Sequence, residues 1–285
     1  MGKPAFSAKI WGARGTLASD SKSTVRYGGN TACVEIACGD QRLIFDAGSG
    51  LRAIGDSLMK EAKKLDRKGL PRKPINLFFT HCHYDHISGL PFFAPFFDPN
   101  AKVDIWSGHL EGPDKTRKMI ENYMKPPYFP VGPEVFSADI SYRDFDVHDV
   151  LKPVSDIVIK TLPLNHHDNC VGYRIEFDSR SICYITDTTH VVDEPDQGII
   201  DFVDGTDLMI YDGTYTDEEF PMFWNFGHST WEEGVRLSKT AGVKRYCVFH
   251  HRPSRSDDEL DKISAQCKQV FRRSWFGYEG LKIRV

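Results

Sequence analysis

At 285 residues, with 40% hydrophobic and 27% charged residues, the chain has the make-up of a globular protein and the length to bury a large core. A formal charge of −4 gives no general attraction to nucleic acid or to anionic membrane. No apolar run nears the ~20 residues of a membrane span, and seven scattered cysteines do not read as a disulfide framework.

The N-terminal stretch MGKPAFSAKIWGARG has no apolar h-region and so is not a signal peptide, and Phe6 stands where a myristoylation pattern wants Ser or Thr. A cytoplasmic location is expected. Short β-branched or aromatic runs then recur along the chain: ACVEIAC, RLIFDAG, INLFFTH, KVDIWS, DIVIKTLPL, GYRIEF, SICYITD, DLMIYDG and RYCVFHH. Each predicts a strand. Between the second and third, residues 51 to 66 place Leu51, Ile54, Leu58, Ala62 and Leu65 on one helical face. The basic stretch KEAKKLDRKGLPRK reads as the solvated back of that helix and not as a phosphate-tracking patch. Capping boxes at Thr230 with Glu233 and at Ser256 with Glu259 announce two later helices, the first stopping at Ala241-Gly242. At least nine strands with interspersed helices predict two packed sheets with helices outside, and no composition break divides the chain: one domain, 1–285, is expected.

The stretch THCHYDHISGLPFF carries the densest chemistry. INLFFT reads as a buried strand, so His81 begins the loop at its carboxyl end, where α/β sites lie. His81 and His83 point the same way if the chain stays extended there; Asp85 and His86 follow, and Gly89 lets the chain turn away. Alternation points Cys82 away from them, as a packed thiol. Imidazole with carboxylate suits zinc, iron or manganese. One ion rarely takes four ligands from six consecutive residues, whereas two adjacent ions can divide them.

His-X-His-X-Asp-His after an apolar strand resembles the signature of the metallo-β-lactamase superfamily, and further landmarks occur in order: LIFDAGSG with Asp46 and Gly48, LNHHDNCVGYRIE, YITDT and YCVFHH. The resemblance implies a four-layer αβ/βα sandwich with a two-metal site on the rim where its halves meet. It implies that His81, His83 and His166 bind one ion, that Asp85, His86 and His250 bind the second, and that Asp187 bridges. The ions implied are two divalent metals, zinc first, with manganese or iron as alternatives. A hydroxide held between two metals ~3.5–4 Å apart is a nucleophile at neutral pH. The di-iron flavoprotein branch has Glu where this chain has His83, which argues against a redox role. Relatives have Pro-Gly after the third-motif histidine, where this chain has His167-Asp168, so either His166 or His167 can ligate; His166 keeps the family's spacing to GYRIE. Of His250 and His251, His250 directly follows its strand.

IYDGTY and FGHST resemble paired motifs of the ribonuclease Z and cyclic-nucleotide phosphodiesterase branch. There a histidine before the Ser-Thr helix start meets an acid from the preceding strand, here His228 and Asp212: a proton donor and its orienter, counted with Asp85 as catalytic. Ribonuclease Z has Glu where this chain has Asp212, and its long tRNA-holding arm has no counterpart here. The implied substrate is therefore a small phosphodiester, a cyclic nucleotide or dinucleotide, with no membrane or stable nucleic-acid partner and with monomer or homodimer left open. A lactonase or thioesterase using the same hydroxide is the alternative, and a non-catalytic metal-bound interaction protein a minor one. PFFAPFF, YMKPPYF and FPMFWNF read mostly as core, with Tyr123, Tyr128 and Trp224 as candidates for stacking on a base. His190 reads as a residue behind the ligands, and His109 and His148 as surface residues.

Overall fold

The computed structural model describes residues 4–167 and 169–285. The first half of the chain supplies β1 (Phe6–Gly12), β2 (Cys33–Cys38), β3 (Gln41–Phe45), β4 (Ile75–Phe79), β5 (Lys102–Ser107) and β6 (Asp139–Asp144). The second supplies β7 (Val150–Val154), β8 (Ile157–Leu164), β9 (Cys170–Phe177), β10 (Arg180–Ile185), β11 (Leu208–Asp212), β12 (Tyr246–Phe249), β13 (Ser274–Phe276) and β14 (Lys282–Arg284). The helices are α1 (Leu51–Arg67), α2 (Tyr84–Ile87), α3 (Lys115–Tyr123), α4 (Gln197–Val203), α5 (Phe220–Phe223), α6 (Trp231–Thr240) and α7 (Asp257–Val270). None is long and apolar enough to cross a membrane.

Two seven-stranded sheets result, in the orders β14-β1-β2-β3-β4-β5-β6 and β13-β12-β11-β10-β9-β8-β7. Each has an antiparallel half and a parallel half: β3 to β6 run parallel in the first, β10 to β13 in the second. The last strand, β14, returns to pair with β1. Strand alternation divides the side chains between layers. Phe45, Phe78, Tyr173, Tyr184, Ile210 and Phe249 fill the space between the sheets. Ile44, Leu77 and Phe79 turn outward to meet Leu51 and Ile54 of α1. Cys183, Ile185, Met209 and Tyr211 turn outward on the other sheet to meet α4, α6 and α7. Strands covered on both faces need continuous apolar runs, which is why INLFF and SICYI contain them. The result is a four-layer αβ/βα sandwich.

Phe45 and Phe78 stack at 5.0 Å with Tyr173 and Tyr184 edge-on to Phe45, so this aromatic cluster joins the two sheets. Burying each such side chain contributes roughly 1.5–3 kcal/mol. α1 buries Leu51 and Ile54 and turns its lysines to solvent, while Arg72 beyond it is paired with Asp66 and Asp98. Thr230 caps α6 by accepting from Glu233 N–H, and Ser256 with Glu259 forms the full reciprocal box on α7. Parallel strands align their carboxyl ends, so β3, β4, β10, β11 and β12 deliver the residues that follow them to one rim of the sandwich.

Candidate metal centre

The rim is built first from the segment after β4. His83 keeps extended backbone (φ −63°, ψ 156°) and α2 then turns the chain, with His86 N–H donating to His83 O at 2.9 Å. Extension brings His83 beside His81, ring to ring at 4.5 Å, and the helical turn brings His86 back to 4.2 Å from His81. Gly89 is required, though for close approach: its φ is −82°, and a Cβ there would lie 2.2 Å from Gly48 O. Cys82 is half-buried in the apolar cluster against α1.

Two groups of side chains converge. His81, His83 and His166 form the first, with one ring nitrogen from each lying within 4.8 Å of the others. His166 Nε2 is 3.1 Å from His83 Nδ1, and its Nδ1–H donates to Gly227 O at 2.8 Å, which leaves Nε2 as the nitrogen that faces the cluster. Gly227 has φ +84°, and a Cβ there would lie 2.3 Å from His166 Nδ1. His81 Nε2 is buried with no hydrogen-bond partner among the described residues and lies 3.6 Å from Asp187 Oδ2. A buried imidazole nitrogen left without a partner is costly unless something else is meant to fill the gap. Burial lowers the pKa of His81 and brings that of His166 to about 4, so both rings are neutral.

Asp85, His86, Asp187 and His250 form the second group, all buried. His250 Nε2 lies 2.9 Å from Asp85 Oδ2, 3.3 Å from Asp187 Oδ1 and 3.3 Å from His86 Nε2. His86 Nε2 lies 3.3 Å from Asp85 Oδ2 and 3.4 Å from Asp187 Oδ2. Donors at about 2.0–2.1 Å around a tetrahedral ion are separated by roughly 3.3 Å, so the group has the dimensions of a metal site. Burial opposes charge on His86 and His250, yet Asp187 and Asp85 outweigh it. They push His86 well above its ordinary value and His250 up to about 9. Burial works against Asp85 and Asp187 too, but the two histidines hold both carboxyls well below the usual range. Without an ion, protons on the histidines balance the acids.

Several of these side chains have an outer support. His86 Nδ1–H donates to Asp46 Oδ2 at 2.9 Å, and Asp46 is itself fixed by Thr80 N–H at 2.8 Å and Tyr184 O–H at 2.9 Å. His250 Nδ1 lies 3.1 Å from the Thr214 hydroxyl, which in turn lies 2.7 Å from Asp212 Oδ1. Asp46, Asp187 and His250 all have φ near +60°, a conformation costing about 1–2 kcal/mol in a non-glycine residue. The reversal at each strand end swings these side chains into the rim. The loop after β1 closes the site: Thr16 N–H donates to Asp85 Oδ2 at 2.7 Å, and a Cβ on Gly15 would lie 2.1 Å from the His250 ring. No local pattern marks Gly15, Thr16 or Thr214, because their partners His250 and Asp85 lie far from them along the chain.

His228 borders both groups. Its Nδ1–H donates to Asp212 Oδ2 at 3.0 Å, and its ring lies 4.7 Å from that of His250. The shorter Asp212 side chain does reach His228. Of each adjacent histidine pair, one member enters the cluster. His167 is exposed, with Nε2 2.9 Å from Asn225 O; its neighbour Asp168 lies outside the described residues. His251 points the other way, with Nε2 donating to Gly277 O at 2.8 Å and its ring stacked on Phe276. His190 stands behind His228, 2.8 Å from Ser229 Oγ. His148 is exposed, but His109 is not the surface residue expected: it is buried beyond the carboxyl end of β5, 3.3 Å from Ser107 Oγ, and burial lowers its pKa to about 3. The aromatic stretches divide as well. Phe93, Phe96 and Phe220 are core, while Phe92, Phe97, Tyr128, Met222, Trp224 and Phe226 are exposed.

Residues 41–251 match the family model described as the beta-lactamase superfamily domain. The ribonuclease Z of Haloferax volcanii is 22% identical over 86% of this chain and 86% of its own. Among solved structures, the metallo-beta-lactamase fold protein YhfI from Bacillus subtilis superposes with a TM-score of 0.69 at 18% identity, covering 99% of this chain and 100% of that one. A diphosphatase from the PhnP family gives a TM-score of 0.67 at 17% identity, covering 98% and 97%. These likenesses show the metallo-β-lactamase fold. The family match spans most of the chain, which therefore belongs to the beta-lactamase superfamily, as a metal-dependent hydrolase of its ribonuclease Z-like branch.

Proposed function

We propose that this hydrolase cleaves a small phosphodiester, a cyclic nucleotide or a dinucleotide, with two divalent metal ions, zinc first and manganese or iron as alternatives. The observation that carries the reading is the His228–Asp212 pair, 3.0 Å apart at the border of the cluster. Asp212 holds Nδ1, which leaves Nε2 to face a substrate as the proton donor. A departing alkoxide is strongly basic and needs that proton. Lactone and thioester cleavage depends mainly on a site for the oxyanion and gives such a pair less to do.

His81, His83 and His166 would hold one ion, Asp85, His86 and His250 the other, with Asp187 shared between them. Bound there, the ions supply Lewis-acid polarisation of a phosphoryl oxygen and acidify water. The chain's own residues set the rest. Asp46, Gly227 O and Thr214 fix the rings, Thr16 N–H fixes Asp85, and His228 delivers a proton on the leaving-group side. The relatives' names, ribonuclease Z and diphosphatase, both denote cleavage of phosphate linkages, which supports the choice. The net charge of −4 favours a small substrate over a stable nucleic-acid partner. We read residues 1–285 as one cytoplasmic domain, monomeric or homodimeric.

The metal-loaded protein tested on a dinucleotide, a cyclic nucleotide, a lactone and a thioester decides the matter. Diester turnover that chelation abolishes and zinc restores is the expected result. Lactone or thioester turnover without any diester turnover overturns the proposal.

A further inference from the structure

The outer face of the first sheet carries a charged cleft that shares no lining residue with the metal cluster. Strand alternation turns Phe6, Ala8 and Ile10 of β1 into the space between the sheets, so Ser7, Lys9 and Trp11 face outward. Lys9 stands directly opposite Lys282 of β14 on one side and Glu35 of β2 on the other. Residues directly opposite in an antiparallel pair share a face, and like charges there repel. Arg42 of β3 and Ser57 of α1 close the cleft, whose volume is about 220 Å³, room for several water molecules or one tetrahedral anion. Arg284, opposite Ser7, adds another cation to the same face.

One acid answers these cations inside the cleft, and it is already engaged. Glu35, 6% exposed, accepts from Trp11 Nε1–H at 2.8 Å with one oxygen and pairs with Arg42 at 3.1 Å with the other. Arg42 also reaches out to Glu61 at 2.9 Å, yet its Nη1 is buried with no hydrogen-bond partner among the described residues. Lys9 Nζ lies 3.5 Å from the centre of the Trp11 ring, and among the described residues neither Lys9 nor Lys282 has an ion-pair partner. Burial lowers the pKa of Lys9; Glu35 opposes this, and the charges of Arg42 and Lys282 add to it. Ser7, 2% exposed, lines the cleft, and its hydroxyl has no hydrogen-bond partner among the described residues. Among the lining residues, three cations against one acid leave an excess of two positive charges, on a chain whose net charge is −4. We infer that this cleft binds a phosphoryl anion, held by Lys9, Lys282 and Arg42 with Ser7. Such a group carries about −1.5 to −2 charges and three strong acceptor oxygens at neutral pH, which matches both the excess charge and the unpaired donors. Free phosphate and the phosphate of a nucleotide offer the same chemistry. The inference stands apart from the phosphodiesterase reading.

The test melts the zinc-loaded parent, Lys9→Gln and Lys282→Gln at constant ionic strength, alone, with inorganic phosphate and with adenosine monophosphate. Phosphate on the metal ions stabilises all three proteins alike, so the difference between parent and variants reads the cleft. Without anion, Lys282→Gln is expected to melt no lower than the parent, because it removes a like charge. With anion, the parent is expected to gain more than either variant. Equilibrium dialysis of labelled phosphate is expected to show the cleft weakened by about tenfold or more in each variant, with metal content unchanged. A differential gain from inorganic phosphate assigns the cleft to the free ion, and one from the nucleotide alone assigns it to a phosphomonoester; either supports the inference. Equal gains in parent and variants overturn it, as does a Lys282→Gln protein that melts below the parent without anion, or a variant that loses metal. Binding of single-stranded RNA that both substitutions abolish, with no differential effect of phosphate or nucleotide, also overturns it and makes the face a nucleic-acid surface.

Discussion

His250 Nε2 and Asp85 Oδ2 lie 2.9 Å apart, with both groups shut away from solvent. This contact and the Asp187 carboxylate lift the histidine from 6.5 to about 9 against the opposing effect of burial. A group whose pKa is raised on folding contributes stability that is complete below its unfolded value and is lost as pH rises through its folded value. The chelated protein should therefore melt at progressively lower temperature between about pH 6.5 and 9, where His250 loses its proton and the acids lose their partner. The zinc-loaded protein should not, because metal replaces the proton. Thermal melts across that window check this, and parallel curves for the two forms would contradict it.

Asp187 lies between the two groups, 3.6 Å from His81 Nε2 and 3.3 Å from His250 Nε2. Asp187→Ala should lose about half or more of the bound metal and all measurable turnover. Elemental analysis per chain reads the first and a diester assay the second. Full occupancy and activity in that variant would remove Asp187 from the bridging position.

The adjacent histidines should behave differently for reasons the structure separates. His166→Ala and His250→Ala should lose metal and activity. His167→Ala removes an exposed ring and should cost little. His251→Ala should keep its metal but unfold more easily, by about 2–4 kcal/mol, since it empties a buried position packed on Phe276. Denaturant titration together with metal analysis distinguishes the four, and metal loss in His251→Ala alone would reverse the assignment.

Gly15→Ala tests a contact that no local pattern reveals. The added Cβ would sit 2.1 Å from the His250 ring, so the ring must move. The variant should fold, with metal affinity reduced by about tenfold or more, as for loss of a side chain that orients a ligand. Competition with a chromogenic chelator measures it, and unchanged affinity would show that the loop yields instead.

Central strands and ligand-type residues were legible because both obey short-range rules. β4, β10 and β11 are buried on both faces and so contain consecutive apolar residues, and the residues closing them sit at strand ends by necessity. The outer strands were not. β6 is half-exposed, β13 has three residues, and β1 mixes Ser, Lys and Gly into a buried strand. β14 exists only because β1 offers an edge to it. His109 looked like a surface residue because nothing beside it in sequence reveals that the chain beyond β5 is covered. Gly15, Thr16 and Thr214 share that reason: their roles depend on His250 and Asp85, which no periodicity connects to them.

The most direct test of the account is the leaving-group dependence of His228→Ala. If His228, held by Asp212 at 3.0 Å, protonates the departing oxygen, its worth depends on how basic that oxygen is. General acid catalysis contributes ~10²–10⁴-fold where the leaving group needs the proton. His228→Ala should slow a dinucleotide by about that factor and bis-nitrophenyl phosphate far less, with metal content unchanged. Asp212→Asn should show the same bias more weakly. Measured as the ratio of kcat/KM for the two diesters, parent against variant, a ratio that shifts by about 10²-fold or more is the result the account predicts. Equal losses on both diesters would contradict it.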